Sequence, residues 1–251
     1  MKKSLVALLL AVAMLLSVVP AMADISPILP YEGDPIEYHC VGSDLITEMP
    51  DTQVYQEYLK IIGKYNEKER MVFPELLGEL VMALEKNQEQ DFLGSVYMEL
   101  ELGNHWIGQF FTPYSVCQLM ADVTSEDAAE QIREKGFITI NDCACGAGAT
   151  LIAGIHSIRR ILEKEGLNWQ DHLLVTAQDL DMVTGLMCYI QMSLQGAAGY
   201  VKIGNTITDP MNSGDSLENY WFTPVYFSQT WALRRLFYGA SAEKNNLRQP
   251  A

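Results

Sequence analysis

The run Phe137-Ile-Thr-Ile-Asn-Asp142 passes directly into Cys143-Ala-Cys-Gly146-Ala-Gly148-Ala-Thr150, and this junction limits the fold more than any other stretch of the chain. A short β-branched run, closely spaced glycines and a helical stretch over Ala149–Glu165 read as strand, tight turn and helix. Glycines at such a turn allow tight backbone geometry and let a ligand approach the helix N-terminus. Farther on, Leu173–Ala177 and Tyr200–Ile203 read as strands, with a helix over Met182–Gln195 between them. The alternation of strand and helix predicts an α/β domain on a parallel sheet with right-handed crossovers.

Upstream the period is helical. Tyr55, Tyr58, Leu59, Ile62 and Tyr65 share one spacing, and Pro74 is expected to open a second helix through Leu77, Leu80, Val81 and Leu84. Further helices are expected over Phe92–Leu102, Pro113–Val123 and Ser125–Lys135. Residues 51–112 therefore read as a helical subdomain and 113–251 as the α/β domain, with an irregular arm or linker over 24–50. At the start, Lys2 and Lys3 precede an apolar run from Leu5 to Leu16 and then Ala21-Met22-Ala23. That run falls short of the roughly 20 apolar residues of a spanning helix, so residues 1–23 read as a signal peptide cleaved after Ala23. The leader predicts export, and no membrane contact is expected beyond it.

The formal net charge is -15; without Lys2 and Lys3 there remain 15 basic against 32 acidic residues, or -17. Such acidity argues against tight DNA binding by the chain alone, because phosphate is normally met by clustered Lys and Arg. Five cysteines, Cys40, Cys117, Cys143, Cys145 and Cys188, are scattered and show neither a disulfide framework nor zinc-type pair spacing. No metal is expected.

Three ligand classes use glycine turns of this kind. A phosphate loop of the Walker type would need Gly-Lys-Ser/Thr, which does not follow. The dinucleotide fingerprint fits poorly, since Leu151 stands where its third Gly or Ala belongs. Asp142 adds electrostatics: a carboxylate at the strand end repels a pyrophosphate but suits a ligand that carries cations and no phosphate. The same acid can also simply cap the turn. At the end of the next strand, Ala177-Gln178-Asp179-Leu180-Asp181 places acids where a nucleoside's ribose hydroxyls would lie. Asp179 could accept both hydroxyl protons, and either Asp179 or Asp181 could cap the following helix.

Gly108-Gln109-Phe110-Phe111-Thr112-Pro113, lying before Asp142-Cys143-Ala144-Cys145-Gly146-Ala147-Gly148, resembles the adenine-specific (N6) DNA methylases of type I restriction-modification systems. In that family the first segment precedes an Asp-Pro-x-Cys-Gly-Ser/Thr-Gly loop; here Cys143 replaces the proline and Ala147 the hydroxyl residue. The resemblance spans about residues 92 to 210, taking in Leu194-Gln195-Gly196 and Gly204-Asn205-Thr206-Ile207. It implies a Rossmann-like S-adenosylmethionine-dependent methyltransferase core, its parallel sheet incomplete, behind an N-terminal helical subdomain. It implies donor contact at Phe110, Phe111, Thr112, Pro113, Cys145, Gly146 and Gly148, and at Asn205 beside the donor's adenine. Asp142 and Asp179 join this set on the arguments above. Read for structure alone, Thr112 is a good helix cap, Pro113 a good first helical residue, and the two phenylalanines fill core.

Methylating an exocyclic adenine amine requires a flipped base, an aromatic to stack it and acceptors for the amino hydrogens. The family supplies these through Asn/Asp-Pro-Pro-Tyr/Phe, and the sequence contains no such tetrapeptide. Asp209-Pro210-Met211-Asn212 lacks the second proline and the aromatic, while the aromatic run Asn219 to Tyr226 reads as packing. Catalytic residues are therefore unassigned, and DNA is expected as substrate only with a partner subunit that supplies sequence recognition. The alternatives are a catalytically inactive donor-binding or interaction module, or an exported structural or binding protein that retains the fold. Export fits the leader; a cytoplasmic location fits the methylase resemblance.

Overall fold

The computed structural model describes residues 59–102, 111–212, 215–216 and 219–246. The leader, the 24–50 arm, the beginning of the 51–65 helical run and the Gly108-Gln109-Phe110 part of the upstream segment lie outside the described residues.

After the helical residues 59–62, two further helices lead in. α1 spans Glu67–Lys86 and begins where Asn66 and Glu69 cap each other reciprocally, Glu69 N–H donating to Asn66 Oδ1 and Asn66 N–H to Glu69 Oε2. Pro74 therefore lies inside this helix and does not open it: the capping box upstream already sets the helix start, satisfying the Asn66 and Glu69 N–H groups. α2 spans Phe92–Glu99, shorter than the expected Phe92–Leu102, and is capped by Asp91. α3 (Tyr114–Thr124) and α4 (Ala128–Lys135) then bring the chain to the sheet.

The sheet core is β1 (Ile138–Asp142), α5 (Ala149–Lys164), β2 (Leu173–Asp179), α6 (Met182–Leu194) and β3 (Ala198–Ile203). The strands lie in the order β1-β2-β3, parallel, with Asp142 opposite Ala177 and Asp179 opposite Ile203. The expected α/β alternation is what the structure contains. Leu173, Val175 and Ala177 alternate along β2 and share one buried core with Leu151, Ile155 and Ile158 of α5 and Leu186 and Ile190 of α6. Both crossover helices thus cover one face of the sheet. Leu80, Leu84 and Tyr97 belong to the same core, so the leading helices pack onto the α/β layer.

A fourth strand, β4 (Tyr220–Phe222), pairs antiparallel with β3, Tyr200 opposite Phe222. Three residues are too few to show an alternation, so the sequence reads there only as aromatic packing. Tyr200, Tyr220, Phe222 and Tyr226 do form a ring cluster, Phe222 and Tyr226 with centroids 4.9 Å apart. The closing helix α7, Gln229–Asn246, is tied to the N-terminal end of β2, its Trp231 indole donating to the Gln170 carbonyl at 2.8 Å.

On β3 a buried lysine organises the chain that follows the strand. Lys202 Nζ donates to Asp209 Oδ1 (2.9 Å) and Asp215 Oδ2 (2.7 Å), and its side chain is 3 % exposed. Burial works against its charge, but the hydrogen bonds to Asp215 and Asp209 outweigh burial and raise its pKa. Asp215 is the acid-sensitive member: hydrogen bonds from Lys202, from the Tyr220 hydroxyl and from the Asn212 N–H lower its carboxyl from 3.8 to about 2. Since the folded value is depressed, the contribution is whole above about pH 4 and fades as pH falls toward 2. Urea unfolding should therefore find Asp215→Asn less stable than wild type at pH 6, with the gap closing between pH 4 and pH 2. A gap of the same size at pH 6 and pH 2 would contradict the ion-pair assignment.

Candidate functional site

The C-terminal ends of β1 and β2 and the loop after β3 converge, which is where ligands bind in open parallel sheets. The glycine loop between β1 and α5 is held from both sides. Asp142 grips it from within: Oδ1 accepts from the Ala144 N–H at 3.0 Å, and Oδ2 accepts from the Thr150 hydroxyl in the first turn of α5. From β2, the Gln178 carbonyl accepts from Cys145 N–H (3.1 Å) and Asp179 Oδ2 from Gly146 N–H (2.7 Å).

Two glycines are required by geometry. Gly146 has φ +53° and Gly148 φ +96°, a region that L side chains rarely occupy. A Cβ on residue 146 would lie 3.2 Å from the Phe111 ring, and one on residue 148 would lie 2.9 Å from Cys188 Sγ. Phe111 therefore covers the loop at van der Waals distance while it packs on Tyr97, ring centroids 5.7 Å apart.

Between Phe111, Thr112 and this loop lies a cavity of about 260 Å³. Asp142, Cys145, Gly146 and Thr150 line it, as does Asp91 from the cap of α2; among the described residues no Lys, Arg or His does. Of the residues expected from the sequence, Phe111, Thr112, Asp142, Cys145 and Gly146 meet at this cavity. Pro113 takes the cap position of α3 and does not face it, and no side chain caps that helix, so Thr112 has no capping role. Gly148 lies at the cap of α5.

Asp179 and Asp181 divide their tasks. Asp181 caps α6, accepting from Val183 N–H (2.8 Å) and Thr184 N–H (3.1 Å). Asp179 reaches the glycine loop through Oδ2, and its Oδ1 accepts from the Asp181 N–H and the Thr184 hydroxyl. A carboxylate has about four acceptor positions, so one remains for a ligand hydroxyl. Asn205 uses its Oδ1 to accept from Ile207 and Thr208 N–H in the loop after β3. That loop is anchored to the glycine loop, Thr206 Oγ1 donating to the Cys143 carbonyl at 2.5 Å. Buried Gln178 holds it from below through the Gly204 and Asp209 carbonyls.

Cys145 is 5 % exposed, and its neighbour Cys188 and its own burial push its thiol well up, so it is a neutral packing group. Among the described residues no group of three or more His, Cys, Asp or Glu is placed to hold a metal ion. Three participants are not legible from spacing: Asp91, which lines the cavity from a remote helix cap, and Gln178 and Lys202, which fix the loop bearing Asn205.

The cradle suits a small cationic ligand. Its lining acids are Asp91 and Asp142, its glycines leave room for close approach, and the described residues that line it include no basic side chain for a phosphate. Replacing Gly148 by Ala should lower the melting temperature, with a cost on the order of 1–3 kcal/mol from the left-handed backbone. A variant that melts with wild type would contradict this geometry.

A family model described as N-6 DNA methylase matches residues 88–249, which is more than half of the chain. No curated protein matches it at a significant level.

Proposed function

The chain belongs to the N-6 DNA methylase family, and on that premise we propose that it is the S-adenosylmethionine-binding component of a system that methylates adenine N6 in DNA, of the restriction-modification type. The observation that carries this reading is the acid-lined, glycine-floored cavity at the end of β1. S-adenosylmethionine offers a sulfonium and an ammonium, no phosphate, and a nucleoside whose ribose diol and adenine ring suit the neighbouring strand ends. Phe111, Thr112, Asp142, Cys145, Gly146 and Gly148 would hold the methionine side and Asp179 the ribose. Asn205, whose Oδ1 is committed to its own loop, would offer its amide N–H₂ to the adenine. Pro113 would flank this set. When bound, the donor supplies an activated methyl group.

DNA enters through a second component. The net charge is -15 and none of the described residues lining the cavity is basic, which supports assigning phosphate contacts and sequence reading to a partner subunit. A specific observation favours a second reading, a donor-binding module that transfers no methyl group itself: the sequence has no Asn/Asp-Pro-Pro-Tyr/Phe tetrapeptide. Asp209-Pro210, the nearest approach to one, is committed to Lys202, which bonds both the Asp209 carboxylate and the Pro210 carbonyl.

Calorimetric titration of the full chain with S-adenosylmethionine, followed by methyl transfer to DNA of mixed sequence, tests both readings. Saturable binding is expected, and Asp142→Asn should weaken it by tenfold or more, since the substitution removes the charge and one of the acceptors that shape the loop (about 1.5–3 kcal/mol for a charged hydrogen bond). Unchanged affinity in Asp142→Asn, or no binding by wild type, would overturn the donor assignment. Binding without transfer supports the module; transfer without any partner supports a complete enzyme.

A further inference from the structure

Asp91 is a buried charge whose structural duties do not require a charge. It is 6 % exposed and caps α2, with Oδ1 accepting from Gly94 N–H at 2.9 Å and from Gln191 Nε2 at 2.8 Å. Neutral asparagine caps a helix as well as aspartate does. Among the described residues Asp91 forms no ion pair, although a carboxylate removed from water is costly unless a cation meets it. Burial accordingly raises its carboxyl above the ordinary value, against the hydrogen bonds from Gln191 and Gly94. The cation has an obvious place to come from, because Asp91 lines the same cavity as Asp142 and the glycine loop.

We propose that Asp91 is the receptor for the α-ammonium group of the donor's methionine portion, a specificity-determining contact that rests on the donor-binding reading above. The choice between the two acids of the cavity follows from their hydrogen bonds. Both oxygens of Asp142 are engaged, one by Ala144 N–H and the other by the Thr150 hydroxyl, so Asp142 shapes the loop and supplies field. Asp91 gathers both of its donors on Oδ1, and Oδ2 has none among the described hydrogen bonds. A sulfonium has no N–H to donate, whereas a primary ammonium has three, so the acid with an uncommitted acceptor belongs to the ammonium. The first turn of α5 lines the cavity through Ala149 and Thr150, and its positive end suits the carboxylate of the same amino acid.

Asp91 is also held rigidly for such a task. Gln191, fully buried on α6, donates from Nε2 to both Asp91 Oδ1 and the Ala147 carbonyl of the glycine loop, and its Oε1 accepts from Leu93 N–H. One amide therefore fixes the acid of α2 relative to the loop, so the two sides of the cavity keep their spacing without a ligand.

The test compares two ligands with an uncharged sulfur on the full-length protein by calorimetry: S-adenosylhomocysteine, which carries the amino-acid arm, and 5′-methylthioadenosine, which keeps the nucleoside and sulfur but lacks that arm. Asp91→Asn preserves the cap and the shape and removes the charge. The variant should bind S-adenosylhomocysteine at least about tenfold more weakly, as expected for a charge-assisted hydrogen bond, and bind 5′-methylthioadenosine within twofold of wild type. Equal losses for both ligands would make Asp91 a structural cap and overturn the proposal, as would unchanged affinity for S-adenosylhomocysteine. If wild type binds neither ligand, it is the donor-binding reading that fails, which separates the two claims.

Discussion

The hydrogen bond from the Gly146 N–H to the Asp179 carboxylate, 2.7 Å long, fastens the loop after β1 to the end of β2. Other features of the site depend on that fastening. It holds Gly146 in a left-handed backbone, where the absence of a Cβ leaves space for Phe111 to lie against the loop. It stands beside the bond from the Cys145 N–H to the Gln178 carbonyl, which ties the loop to β2 three residues beyond the end of β1. Asp142 and Thr150 then close the loop onto the first turn of α5. A charge-assisted bond between neighbouring strand ends is stronger than a neutral one, and it gives the cavity a fixed floor.

Much of this was legible in the sequence because it is local. The β-branched run before Asp142, the glycines after it and the helical periods downstream are statements about neighbouring residues, and the parallel β1-α5-β2-α6-β3 order follows from them. Pro74 was misleading for an equally local reason: proline favours a helix start, but the reciprocal cap of Asn66 and Glu69 lies upstream and fixes the start first. β4 escaped because a three-residue antiparallel strand has no period to detect, and its register is set by pairing with Tyr200 to Lys202.

The site was half legible for the same reason. Asp142, Gly146 and Gly148 announce themselves through the turn they build, and Phe111-Thr112 through a motif. The capping choice between Asp179 and Asp181 required coordinates, because both stand within reach of α6 and only the fold shows that Asp181 takes the cap while Asp179 crosses to the loop. Asp91 could not be read at all. Its place in the cavity depends on a contact between α2 and α6 through Gln191, a hundred residues away in sequence. The result is a cavity whose described lining draws its charge from acids of separate elements.

Amide hydrogen exchange on the full-length protein, with and without saturating S-adenosylmethionine, tests the central claim most directly, because it reports where the ligand acts. The account predicts slower exchange in the donor's presence at residues 143–150 and 111–112, where the loop and its aromatic cover close on the ligand, with α7 unchanged. Protection confined to other parts of the chain, or no protection while the ligand is bound, would contradict the assignment of the glycine-loop cavity as the donor site.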